Sequence, residues 1–148
     1  MNVCHDDHFT IVMIEDDEGH ARLIEKNLRR SGISNTMVHL NDGDKAMQYF
    51  FAPEMAHIKH DRVLILLDLN LPTIDGYEIL ARLKSEDRTH AIPTIILTTT
   101  DNPKEVDRCY ELGCNVYITK PVEYDSFSDA IQKVGLMLSI VKIPHHTK

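Results

Sequence analysis

Basic charge is scarce in this sequence: 16 lysines and arginines stand against 23 acidic residues, a formal charge of -7 at pH 7. A surface of that sign is unattractive to polyanions, which argues against a nucleic-acid binder. Cysteine is nearly absent as well. The three residues Cys4, Cys109 and Cys114 are an odd number without metal-site spacing, and the polar opening MNVCHDDH carries no apolar leader. Reduced thiols in a cytoplasmic protein are therefore expected. Long hydrophobic runs are missing: VLILL at 63–67 is far too short to cross a bilayer and reads as a buried strand, so no membrane is expected as a partner. The sequence also lacks G-x-G-x-x-G and the G-x-x-x-x-G-K loop that precedes Ser or Thr, the usual backbone cradles for nucleotide phosphates. Nine histidines are present, but no two share a helix face beside a general base, and His145-His146 falls in a polar tail. No zinc site is expected.

What is present is an alternation of apolar runs and amphipathic stretches across a length of 148 residues, enough for one domain. The expected division is a flexible N-terminus over 1–8, a folded domain over 9–143 and a polar tail over 144–148, with no separate output domain. FTIVMI (9–14) reads as a strand. From Asp17 to Ser31 the pattern turns helical, with Ala21, Ile24 and Leu28 on one stripe. TMVHL (36–40) is a second strand, and Asp42 caps a helix carrying Ala46 and Phe50. The stretch 51–62 reads as a helix end followed by a longer loop. VLILLDL (63–69) has the continuous apolar character of a central parallel strand covered on both faces. Asp75-Gly76 leads into a helix with Ile79, Leu80 and Leu83 inward. IPTIILT (92–98) is the fourth strand, 102–112 the fourth helix with Gly113 at its C-cap, and VYIT (116–119) the fifth strand. A last helix runs from about 124 to 142. Five strands alternating with five helices predict an α/β fold with a doubly wound parallel sheet.

In such sheets the ligand site lies at the carboxyl edge of the strands. There the first strand ends in Glu15-Asp16-Asp17, the third in Asp68, the fourth in Thr98 and the fifth in Lys120. Clustered carboxylates repel one another and call for a cation. A hard, oxygen-rich site suits Mg2+, with Mn2+ as a substitute, completed by phosphate. Asp68, rigidly aimed by its strand, is the candidate nucleophile: a carboxylate attacking phosphorus gives an acyl phosphate, while metal, Lys120 and the Thr98 hydroxyl neutralise the phosphoryl oxygens. A haloacid-hydrolase type of phosphatase would also use such an aspartate, but commonly has a second acid two residues on, where this chain has Asn70.

The segments IEDD (14–17), LLDLNLPTIDG (66–76), PTIILTT (93–99) and YITKP (117–121) resemble the signature segments of the response-regulator receiver family of two-component signalling. The resemblance extends from about 9 to 142 and implies a flavodoxin-like sheet of order 2-1-3-4-5. It further implies that Asp68 accepts phosphate from a sensor histidine kinase or phosphotransfer protein, and that the protein assists its own phosphorylation and slow dephosphorylation. Asp16 and Asp68 would bind the metal directly, Asn70 through its backbone carbonyl and Glu15 through water. Lys120 would pair with the phosphoryl group, Thr98 would be the switch hydroxyl and Tyr117 the switch aromatic. Thr99 stands where the family often has alanine, which narrows the access of water to a phospho-aspartate. The Lys120-Pro121 bond resembles a cis peptide of the family.

The last helix adds an interaction surface. Phe127, Ile131, Val134, Leu138 and Val141 keep 3-4 spacing, yet Leu136, Met137, Ile140 and Ile143 are apolar on other faces. An exposed patch of this kind marks an interface, here a homodimer through the last helix and the fifth strand. The segments 68–72 and 113–131 and the tail ending in Ile143-Pro144 are similar to the small receivers that serve bacterial and cyanobacterial phytochrome histidine kinases. The competing readings are a monomeric chemotaxis-like or phosphorelay receiver for a non-light kinase, and a phosphorylation-independent interaction module. Labelling at Asp68, oligomeric state and the identity of the kinase distinguish them.

Overall fold

A computed structural model describes residues 9–30, 32–53 and 63–120. Within them the chain alternates β1 (Thr10–Ile14), α1 (Glu18–Arg30), β2 (Met37–Leu40), α2 (Gly43–Phe51), β3 (Val63–Leu67), α3 (Gly76–Ser85), β4 (Thr94–Thr98), α4 (Pro103–Leu112) and β5 (Val116–Thr119). All four strand pairings are parallel and the sheet order is β2-β1-β3-β4-β5. The doubly wound α/β expectation and its strand order hold, with four helices among the described residues. The expected fifth helix, the terminal segments 1–8 and 144–148, most of the 51–62 stretch and the Lys120-Pro121 bond lie outside the described residues.

The period of two along each strand divides the core between the sheet's faces. Val12, Ile14, Ile65, Leu67 and Ile96 point to the side of α2, α3 and α4, where they meet Ala46, Phe50, Ile79, Leu80, Leu83 and Cys109. Ile11, Met13, Leu64, Leu66, Ile95 and Leu97 point the other way, against Ala21, Ile24 and Leu28 of α1. Each fully buried Leu or Ile side chain contributes about 1.5–3 kcal/mol relative to exposure, so register, not any single contact, fixes which residues end at the carboxyl edge. The pairing Ile14 with Leu67 brings the ends of β1 and β3 level, and Asp68 N–H donates to Ile14 O at 3.0 Å.

Strand limits differ from the sequence reading for local reasons. β3 stops at Leu67 because, past the Asp68 N–H bond to Ile14 O, Leu69 leaves the ladder: Leu69 O instead accepts from Leu71 and Gly76 N–H, at 3.2 and 3.0 Å. β4 begins at Thr94 because Pro93 has no N–H to donate and Ile92 N–H closes a turn onto Thr89 O at 3.0 Å. α4 ends as expected at Gly113, whose φ of 112° is left-handed and whose N–H bonds Cys109 O at 3.1 Å. Cys114 N–H bonds the same carbonyl at 3.0 Å, a doubled closure that seats Cys114 against the core. Cys114 is buried there, and burial raises its thiol pKa.

Candidate functional site

Four of the residues picked out at strand ends come together. Glu15, Asp68 and Lys120 are buried, at 2%, 7% and 4% exposure, while Asp16 beside them is exposed. Carboxylate oxygens of Glu15, Asp16 and Asp68 lie within 4.8 Å of one another. Glu15 and Asp68 are fixed by backbone geometry. Glu15 N–H donates to Leu40 O at 3.1 Å and Glu15 O accepts from the His39 ring at 2.7 Å, so the residue is clamped between β1 and β2. Asp68 Oδ1 accepts from Asn70 N–H at 3.2 Å, which folds the chain back over the carboxylate.

Lys120 reaches from the end of β5 across the sheet edge to this cluster. Its Nζ donates to Glu15 Oε1 at 2.5 Å and to Asp68 Oδ2 at 3.2 Å. Burial pushes the Glu15 carboxyl up to about 7, and the Asp68 carboxylate adds to the rise; Lys120 opposes both. Three carboxylates gather here around one ammonium. The site's donors are all oxygens, and they fit a hard divalent ion. Glu15, Asp16 and Asp68 together could coordinate a divalent cation.

Thr98 at the end of β4 is fully buried and its hydroxyl accepts from Asn70 Nδ2 at 3.3 Å; Thr99 Oγ1, exposed, lies 3.5 Å from the same nitrogen. Tyr117 on β5 is half-buried. Its hydroxyl donates to Thr100 O at 2.5 Å and its N–H donates to Tyr110 Oη at 3.1 Å, so the loop after Thr98, α4 and β5 share one hydrogen-bonded connection. Burial holds the Tyr117 phenol up at about 12, which keeps it a donor. The proposed dimer residues Leu136, Met137, Ile140 and Ile143 lie outside the described residues.

The sequence reading missed His20. Its Nδ1 lies 3.2 Å from Lys120 Nζ and 4.0 Å from Glu15 Oε2. A signal was available: Asp17 at an N-cap places the residue three further on in the first helical turn, at the same end of the sheet as the acids.

An acidic triad at the carboxyl edge of an α/β sheet, with a lysine closing over an aspartate, is consistent with a phosphoacceptor and metal site. The chain belongs to the response-regulator receiver family: residues 11–132 match the response regulator receiver domain. It is similar to the response regulator Rcp1 of Synechocystis, 34% identical over 135 residues, which cover 90% of this chain and 92% of Rcp1. The Mn(2+)-bound form of Rcp1 superposes with a TM-score of 0.84, covering 92% of this chain and 99% of that one. A response regulator receiver domain from Rhodospirillum rubrum is 48% identical, with a TM-score of 0.88, covering 94% of this chain and 99% of that one. The phosphorylated cyanobacterial phytochrome response regulator RcpA is 35% identical, with a TM-score of 0.82, covering 93% and 99%. The chain is thereby related to phytochrome-associated regulators, and its family interacts with histidine kinases and phosphotransfer proteins. Among the described residues no helix is long and apolar enough to cross a membrane.

Proposed function

We propose that this protein is a response regulator in which Asp68 accepts a phosphoryl group in a Mg2+-dependent transfer from a sensor histidine kinase or phosphotransfer protein. The observation that carries the reading is the convergence of Glu15, Asp16 and Asp68 within 4.8 Å under the Lys120 ammonium. In the transfer an Asp68 carboxylate oxygen forms a bond to phosphorus as the phosphorus-nitrogen bond of the donor phosphohistidine breaks. The departing imidazole nitrogen keeps the electron pair and takes a proton. Bound Mg2+ would supply charge neutralisation at the phosphoryl oxygens. Lys120 directs an N–H at one of those oxygens, and the Thr98 hydroxyl, released from Asn70, donates to another. Tyr117 then follows Thr98, and the change spreads through Thr100 and Tyr110 to the face of α4 and β5.

Likeness to Rcp1 and RcpA favours a phytochrome-type kinase as donor. The apolar residues Leu136, Met137, Ile140 and Ile143 favour a homodimer as the signalling form. Radiolabelled acetyl phosphate tests the chemistry: label is expected with Mg2+, none with excess chelator, and none in Asp68→Asn. Label persisting in Asp68→Asn moves the acceptor elsewhere. Sedimentation at micromolar concentration tests the assembly, and a 17 kDa species alone, with and without phosphorylation, refutes the dimer.

A further inference from the structure

An ammonium carries three N–H donors, and the surroundings of Lys120 offer an acceptor for each: Glu15 Oε1 at 2.5 Å, Asp68 Oδ2 at 3.2 Å and His20 Nδ1 at 3.2 Å. The first two are carboxylates of the metal and phosphoryl site. The third comes from outside it, from the first turn of α1. Its placement follows from the sequence. Asp17 Oδ1 accepts from His20 N–H at 3.0 Å, and Asp17 N–H in turn donates to Glu15 Oε2 at 3.2 Å, so the turn that begins α1 is tied to the acidic cluster at both ends. With the Lys120 side chain only 3% exposed, water is a poor substitute for a missing acceptor.

We propose that His20 is a positioning residue for phosphoryl transfer, its Nδ1 lone pair holding the Lys120 ammonium where it meets the phosphoryl oxygens on Asp68. The inference rests on Asp68 as phosphoacceptor. As Asp68 becomes an acyl phosphate, its negative charge passes to the phosphoryl oxygens, and the Lys120 donor now on Asp68 Oδ2 turns to one of them. The other two anchors stay. A lysine side chain is a flexible four-carbon stem with a point charge at its tip; anchored at Glu15 alone it pivots, anchored at Glu15 and His20 it is aimed. A neutral imidazole suits the task better than a third carboxylate, which would repel the incoming phosphate. Nδ1 accepts only when the ring proton sits on Nε2.

Initial rates of labelling by acetyl phosphate at saturating Mg2+ are compared for the native protein, His20→Asn and His20→Leu. Asn Oδ1 offers an acceptor in place of Nδ1; Leu fills similar space without one. The expected result is a roughly fivefold slower rate in His20→Leu, ~1 kcal/mol at ~1.4 kcal/mol per decade, and a rate within about twofold of native in His20→Asn. Mg2+ affinity by calorimetry and Tm are expected to match among the three. Nitrogen NMR of the metal-free native protein is expected to show the Nε2–H tautomer, with an Nδ1 shift that changes in Lys120→Met. A labelled native protein with His20→Leu at the native rate, or with His20→Asn as slow as His20→Leu, overturns the role of His20. An unlabelled native protein overturns the Asp68 reading itself.

Discussion

Replacing Gly76 by alanine sets two opposing effects against each other. Gly76 opens α3 directly after its N-cap, Asp75, whose side chain accepts from Glu78 N–H at 2.9 Å. In an exposed helix the change would stabilise by about 1 kcal/mol through propensity. Here an added Cβ meets Asp68 O at 2.5 Å and Leu69 Cα at 2.6 Å, where ordinary contact begins at 3.4 Å. The shortfall is close to an ångström, and both obstacles are backbone, so no rotamer change relieves it. Overpacking of this kind costs typically 1–3 kcal/mol, and with no side chain to yield, the upper end applies. The net expectation is a destabilisation of about 2 kcal/mol, a fall in Tm of roughly 4–8 °C for a chain of this size. Thermal and urea unfolding followed by circular dichroism measure it. The displaced backbone is that of the proposed phosphoacceptor, so the acetyl phosphate labelling rate is expected to fall more than a stability loss alone would require. A Gly76→Ala protein as stable as native, or more so, refutes the steric argument.

Thr99→Ala is expected to shorten the lifetime of the phosphorylated protein by roughly 2- to 10-fold, ~0.4–1.4 kcal/mol, because the side chain beside Asn70 no longer obstructs water; loss of label over time measures it, and an unchanged half-life counts against any shielding by Thr99. The thiols give a pH prediction. Burial raises Cys109 from 9.0 to about 11, so the folded protein keeps its proton where the unfolded chain loses it. That contribution to stability is complete below pH 9 and is lost as pH rises through 11. In a Cys4→Ser background, Cys109 and Cys114 are expected to resist a thiol-disulfide reagent at pH 8 and to react at once in urea. Rapid native reaction would show that the seat under α4 opens.

Much of the fold was legible because both periodicities are clean. Ala21, Ile24 and Leu28 mark the helix stripe, and the unbroken VLILL marks a strand buried on both faces. The site was legible for a related reason: a charge that interrupts an apolar strand has only the sheet edge to occupy, so Glu15, Asp68, Thr98 and Lys120 were bound to share it. Partner choice among them was not. That Lys120 takes Glu15 more closely than Asp68 depends on how the chain turns after β5 and on the depth of Glu15 between β1 and β2, neither written in local sequence. His20 escaped notice because its role comes from the Asp17 cap acting together with a lysine 100 residues away. Ends of β3 and β4 were overextended because apolar residues continue past the ladder. Leu69 and Ile92 are buried by the loops they belong to, not by strand pairing.

The reach of Lys120 to Glu15 has a bearing on how the molecule comes into being. It joins the ends of β1 and β5 over a sequence separation of 105 residues, and every strand lying between them in the sheet must be in place before the two can meet. Contacts of such separation carry a large loop-closure cost and form late, after local structure has condensed. A nascent chain that has already assembled β1 to β4 and their helices therefore holds three crowded carboxylates with no lysine over them. Under the proposed function, competence to receive a signal arrives with the last strand, and a half-built receiver is not expected to draw phosphate from a donor.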